Sequence, residues 1–339
     1  MNRRKVITLL CGVAATLPLS ASAAQSSVQR VMSRSAAADA PPRIGWLKIQ
    51  GRQHTPGQLN AFRDGLRELG LVEGRDYLLE ERYADNEGAR LPGLATELVG
   101  RGVSIIVATS HPSIVAAARA TKSVPVIGRM NDDPLATGLA QSLARPGGNI
   151  TGIYSLAEEL SPKRLALLKE AVPSLRRVGV LLQHTWSNAA HSWNVALGAA
   201  RQLGLELVAL DVHSAEDIVA AFEETSAQKV GGIITFRNPT LVTHLGLIGE
   251  LTRKHRLPAA FDAREYVEAG GLMSYGPNID AIYHRLATYA DKLLRGTPAG
   301  ELPIQQPTVF ELVINKRTAD ALGLAIAPSM LTSADEVIE

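Results

Sequence analysis

The 339-residue chain is 46% hydrophobic, 20% charged and 4% aromatic. Those are ordinary proportions for a folded protein, and the length suits two domains. Three of its 35 basic residues are Arg3, Arg4 and Lys5, and without them the formal charge of +2 becomes −1. Composition therefore gives no support to a nucleic-acid partner. The single cysteine, Cys11, excludes an intrachain disulfide and a zinc ribbon or finger.

Arg3-Arg4-Lys5 precedes an apolar stretch at 6–19 that is too short to span a bilayer comfortably. Ala21-Ser22-Ala23 supplies a small-x-small cleavage site. The pattern is that of a signal peptide over 1–24, removed on export to the periplasm. A buried N-terminal helix is the competing reading, which three adjacent cations disfavour. The arginine pair loosely resembles a twin-arginine signal, so the export route stays open. Leu9-Leu10-Cys11 is a poor lipoprotein box, and cleavage near Ala23 would leave the mature chain free of cysteine. Residues 25–42, rich in Ser, Ala and Pro, read as a loose leader.

From 43 onward short apolar runs alternate with helical periodicity. Strands are expected at 43–49, 77–83, 103–108, 124–127 and 150–154, and helices at 58–69, 91–99 and 112–120. Pro112 suits the first turn of its helix, where no amide hydrogen is needed. The pattern then restarts. Helices are expected at 162–170, 189–203, 215–226 and 241–255, with strands at 177–182, 206–210, 231–235 and 258–261. A tail of helix (280–294), strand (308–314) and helix (316–322) is too short for a third domain. Repeated β-α units of this kind predict an α/β protein: two Rossmann-like, doubly wound lobes of parallel sheet covered by helices on both faces.

Common catalytic signatures are missing from the sequence. No G-x-G-x-x-G follows the first strand and no G-x-x-x-x-G-K-[ST] occurs, which argues against a Rossmann dehydrogenase or a P-loop NTPase. Gly271-Leu272-Met273-Ser274-Tyr275-Gly276 has one residue too many before Ser274 for a nucleophile elbow. His184 and His191 are seven apart with no third ligand nearby in sequence, so neither a metal nor another cofactor is expected. Asn149-Ile150-Thr151 matches a glycosylation sequon, read here as chance.

Several stretches carry a resemblance. They are Phe62-Arg63-Asp64-Gly65-Leu66-Arg67-Glu68-Leu69-Gly70, Ser142-Leu143-Ala144-Arg145-Pro146-Gly147-Gly148-Asn149-Ile150-Thr151-Gly152 and Arg264-Glu265-Tyr266-Val267-Glu268-Ala269-Gly270-Gly271-Leu272-Met273-Ser274-Tyr275-Gly276-Pro277. Gln306-Pro307-Thr308, Phe310-Glu311-Leu312-Val313-Ile314-Asn315 and Ser333-Ala334-Asp335-Glu336-Val337-Ile338 add to them. Together they resemble the periplasmic substrate-binding proteins of ABC transporters, in the tryptophan/tyrosine-binding group. The resemblance implies a type I periplasmic-binding-protein fold with three crossover segments and a ligand held between the lobes. It also implies an ABC permease and ATPase as partners. The lobes would be 43–152 with 276–302, and 153–275 with 303–330. Ser110-His111, Gln183-His184-Thr185-Trp186 and Arg237-Asn238-Pro239 depart from what that family commonly carries.

Ligands of open α/β sheets sit beyond the carboxyl ends of the strands. That rule selects Gln50, Thr109, Ser110, His111, Arg129, Asn131, Asp133, Tyr154, Trp186, Arg237, Asn238, Arg264 and Tyr275 as ligand-binding candidates. Arg129, Arg237 and Arg264 offer planar forks for a carboxylate, and Tyr154, Trp186, Phe236 and Tyr275 could enclose an aromatic body. Plainer roles compete: Ser110 as a helix cap, Arg264 paired with Glu268 along a helix, Trp186 as core, Asp133-Pro134 as a turn. Asp262 with Glu265 reads as a capping pair and is left out of the site. The expected function is capture of a small carboxylate-bearing ligand, aromatic or amino-acid-like, by a monomer that delivers it to a permease. The alternatives are a receptor for a membrane sensor and an exported enzyme.

Overall fold

The fold is taken from a computed structural model, which describes residues 40–339 except 55, 158 and 187. The expected export segment and most of the leader lie outside the described residues. No helix among the described residues is long and apolar enough to cross a membrane.

The first lobe is built on β1 (Arg43–Lys48), β2 (Leu78–Tyr83), β3 (Ile105–Ala108), β4 (Val126–Met130) and β5 (Ile150–Tyr154). All pairings are parallel, in the order β2-β1-β3-β4-β5. Alternate residues face opposite sides of such a strand. Ile44, Trp46, Ile105 and Val107 join one core beneath helices α1 (Pro56–Glu68) and, much later in the chain, α10 (Ile279–Leu294). Leu47, Ile106 and Ala108 join the other, beneath α2 (Leu91–Gly100) and α3 (His111–Ala120). Burial on both faces is why these strands read as unbroken apolar runs. The first core is anchored by Trp46, whose ring lies 5.7 Å from Phe62 and 5.6 Å from Tyr283. Helices α1 and α10 meet at Gly65: a Cβ there would lie 2.4 Å from the carbonyl oxygen of His284.

The second lobe repeats the order. It contains α4 (Ser161–Ala171), β6 (Arg177–Leu182), α5 (Ala189–Gln202), β7 (Glu206–Asp211), α6 (Ala215–Glu224), β8 (Gly232–Thr235), α7 (Pro239–Thr243), α8 (Leu245–Lys254), β9 (Ala259–Phe261), α9 (Arg264–Glu268) and β10 (Met273–Pro277). Its strands run β7-β6-β8-β9-β10. The sheet then extends through β11 (Phe310–Asn315), antiparallel to β10, and β12 (Glu336–Ile338), with α11 (Lys316–Leu322) and α12 (Pro328–Ser333) between them.

The expected helix at 241–255 is two helices. Asn238 caps the first, accepting from the Leu241 amide, and His244 leaves helical geometry (φ −110°, ψ 29°) before the second begins. Strand β10 lay hidden in a Gly- and Pro-containing run that disfavours strand. Gly276 is required there, because a Cβ would sit 1.9 Å from the Asp262 carbonyl oxygen. Asp262 is not a cap: the residue before α9 is Ala263, and its side chain makes no capping bond.

Three segments link the lobes. The chain leaves the first sheet after Tyr154 and re-enters at Asn278, which caps α10 through the Ala281 amide (2.7 Å). It then runs beside β5, where Tyr154 donates to the Gln305 carbonyl and Gln305 to that of Gly152, before leaving for β11.

Candidate functional site

The carboxyl end of β4 faces those of β6 and β8, the end of an open parallel sheet where ligands bind. Between them lies a small pocket. Asn131 and Asp132 line it from the first lobe, and Gln183, Trp186, Phe236, Arg237 and Asn238 line it from the second. Its free volume is ≈ 10 Å³, room for about one water molecule. The lobes also touch outside it, where Thr243 Oγ1 lies 2.9 Å from Asn86 Oδ1.

The first-lobe wall is built by β4 and the loop that follows. Arg129 is buried, and its Nη1 donates to Asn131 Oδ1, which also accepts from Ser155 Oγ (3.1 Å). Arg129 Nε has no hydrogen-bond partner among the described residues. Behind it Tyr283 donates to the Thr109 carbonyl (3.3 Å) and hydrogen-bonds Arg129. Lys48, at the end of β1, is buried beside these groups, its Nζ donating to the His54 carbonyl. Burial first, then Arg129 and Arg237, pull its pKa down to about 8. A cation held below its ordinary value bears the desolvation cost of burial, to which the neighbouring arginines add.

The second-lobe wall is different. Arg237 donates to Asp262 Oδ2 at 2.9 Å, with side chains 4% and 1% exposed. Burial alone would lower the Arg237 pKa, but Asp262 and then Glu265 raise it above the ordinary value. Asn238 is turned to its capping role, and Gln183 Oε1 accepts from Thr240 (3.4 Å).

Of the thirteen candidates from sequence, Asn131, Trp186, Arg237 and Asn238 line this pocket. Arg129 stands immediately behind it. Thr109, Ser110 and His111 open α3 next to it: His111 Nδ1 is 3.3 Å from Asp132 Oδ2, and Ser110 caps the helix through the Ser113 amide. Gln50 is buried just past β1. The others serve elsewhere. Asp133 Oδ1 accepts from the Leu135 amide in a turn, and Tyr154 donates to Glu159. Tyr275 belongs to β10, and its carbonyl accepts from Arg164 (3.4 Å). Arg264 borders a separate hollow of ≈ 320 Å³ with Asp280 and Glu311. It is 37% exposed and pairs with Glu268 (2.9 Å) and Glu336 (3.0 Å).

Sequence reasoning missed Lys48, Asp132 and Tyr283. A lysine inside an otherwise apolar strand is a signal that the sequence offers, since lysine is seldom buried without a reason. Which of Asp132 and Asp133 faces the cleft depends on the loop's path. Tyr283 arrives from a distant helix.

Known proteins share this fold. The chain is 25% identical over 267 residues to a tyrosine-binding protein of Clostridioides difficile (strain R20291), covering 78% of this chain and 75% of the relative. A structure of an ABC domain in complex with L-Trp from Streptococcus pneumoniae superposes with a TM-score of 0.80 at 24% identity, over 88% of this chain and 100% of that one. A conserved domain protein from Vibrio cholerae O1 biovar El Tor superposes with a TM-score of 0.79 at 26% identity, with the same coverage. The profile of the family described as ABC transporter substrate binding protein matches residues 56–338, and the chain, with its type I periplasmic-binding-protein fold, belongs to that family.

Proposed function

We propose that this protein captures a small aromatic amino acid or a related aromatic carboxylate between its lobes and delivers it to an ABC permease. The observation that carries the reading is the pocket's chemistry. Arg129 and Lys48 supply buried positive charge behind the first wall, and Trp186 and Phe236 supply aromatic surface at the second. A carboxylate would meet charged hydrogen-bond donors, and a ring would meet aromatic faces. The names of the tyrosine-binding relative and of the L-Trp complex support the same ligand class. The role is binding rather than catalysis.

Capture requires motion. A pocket with room for about one water cannot admit an amino acid, so the lobes part to load and close on the ligand. The crossings near 152–155, 275–278 and 302–306 are the proposed hinges, each a few residues able to absorb a rotation. The closed spacing of the lobes is then the signal a permease reads. Residues 1–24 are proposed to direct export to the periplasm and to be removed there. N-terminal sequencing of periplasmic protein, expected to begin near Ala24 or Gln25, checks this, and an intact Met1 would refute it.

Thermal-shift and calorimetric titration with L-Trp, L-Tyr, tryptamine and tyramine test the ligand class. The amino acids at about 100 times their dissociation constants should add roughly 2.7 kcal/mol of stability, while the amines, which lack the carboxylate, should add none. Equal binding of amine and amino acid, or no binding by either, would overturn the reading.

A further inference from the structure

Away from the pocket, the ends of β6 and β7 bring together a cluster that sequence spacing concealed. Leu182, the last residue of β6, is paired with Asp211, the last of β7. The Val212 amide closes the ladder by donating to the Leu182 carbonyl (2.8 Å). His184 lies two residues beyond Leu182, and His213 two beyond Asp211. Both lie in the turns that follow the strands, and those turns bring the two imidazoles to the same carboxylate.

The contacts are direct. His184 Nδ1 hydrogen-bonds Asp211 Oδ2, and His213 Nε2 lies 3.1 Å from the same oxygen. The two rings stand edge to face at 5.3 Å. One ligand atom from each residue falls within 4.8 Å of the others. Three donors around a tetrahedral ion at about 2.0–2.1 Å stand roughly 3.4 Å apart, so side-chain rotation alone would complete the set, and all three side chains are at least a third exposed.

The carboxylate is held for the task. Its other oxygen, Oδ1, accepts from the His184 amide at 2.8 Å, and the His213 amide donates to Asp217 (2.9 Å). Such outer contacts fix the orientation of ligating groups.

We propose that His184, Asp211 and His213 form a surface site for a divalent transition cation of the zinc class. Two imidazoles and one carboxylate suit Zn²⁺ and its neighbours. They do not suit calcium or magnesium, which take mainly oxygen ligands. The remaining positions are open to water. His184 sits between Gln183 and Trp186, which line the interlobe pocket. A bound cation therefore ties the cleft loop to the β7 edge and stiffens that wall of the pocket.

Titration of tag-free protein with ZnCl₂, by calorimetry and thermal shift, tests the site in wild type, His184→Ala, His213→Ala and His191→Ala. His191 serves as the control because it is exposed and pairs instead with Glu159, at 3.9 Å. Saturable one-to-one binding is expected. Loss of either site histidine should weaken it about 10-fold or more, while the His191 variant matches wild type. Circular dichroism confirms that each variant is folded. No saturable binding by wild type, or undiminished binding by both site variants, overturns the proposal. So does equal weakening by His191→Ala.

Discussion

The two lobes share the strand order 2-1-3-4-5 and each offers a buried arginine at the cleft, yet the two arginines are held differently. Arg237 is neutralised within its own lobe by Asp262. Arg129 leans on the neutral Asn131 and on Tyr283, has no ion pair among the described residues, and stands near Lys48. A buried charge without a counter-ion costs stability. The protein accepts that cost on one wall and avoids it on the other. The difference fits Arg237 to holding the second lobe's wall together and, under the proposed function, leaves Arg129 to receive the ligand's carboxylate.

The strongest way to break this contrast is through Asp262. Asp262→Asn removes the carboxylate charge that pairs with buried Arg237 and should cost about 3–5 kcal/mol, read as a lower midpoint in urea unfolding. Arg129→Met, which removes no ion pair, should cost less than half of that. Comparable losses in the two variants would erase the distinction between the lobes.

Ligand affinity sharpens it from the other side. If Arg129 meets the carboxylate, Arg129→Met should weaken binding by about 1.5–3 kcal/mol, roughly a 10- to 150-fold rise in dissociation constant by calorimetry. Unchanged affinity in a folded variant would return Arg129 to a structural role.

Acidity offers a third test, through Lys48. Its pKa in the folded protein, about 8, lies below the ordinary 10.5. Below pH 8 the folded protein bears the cost of a buried cation. Between about 8 and 10.5 the folded state releases a proton that the unfolded state keeps, so this residue's contribution to stability rises with pH. Binding of an aromatic acid without an amino group should move the opposite way. The anion favours protonated Lys48, so its dissociation constant should climb above pH 8 by up to about tenfold per unit. Calorimetry between pH 7 and 10 reads the slope, and a flat profile would separate Lys48 from the ligand.

The smallest effect is expected at Arg264. Its pairs with Glu268 and Glu336 are largely solvated, and exposed pairs contribute about 0.2–1 kcal/mol. Arg264→Ala should leave ligand affinity within about twofold, as a residue outside the pocket would, and lower stability by no more than that range. A large loss of affinity would shift the binding site toward the hollow that Arg264 borders.

Much of this architecture is legible in the order of residues along the chain. Strands 150–154 and 177–182 and helix 316–322 fall at their expected bounds, because burial on both faces leaves unbroken apolar runs and local caps mark the helix ends. Elements that owe their existence to distant partners are less visible. Strand β10 is made by its neighbours β9 and β11 in spite of its glycine and proline, and β12 is three residues long, recruited by β11.

The site divides along the same line. The loops after β3, β4, β6 and β8 follow from sheet geometry, so Asn131, Trp186, Arg237 and Asn238 can be named from order along the chain. What each polar group does there is decided by neighbours far away in sequence. Arg237 meets Asp262 across 25 residues, Tyr283 reaches Thr109 across 174, and the imidazoles of His184 and His213 share one carboxylate because β6 and β7 are adjacent. Periodicity and composition report which residues are buried, since burial is a property of each side chain and its immediate pattern. The pairing of buried charges is a property of two chain segments at once, and only the tertiary fold brings them within the few ångströms where electrostatics acts.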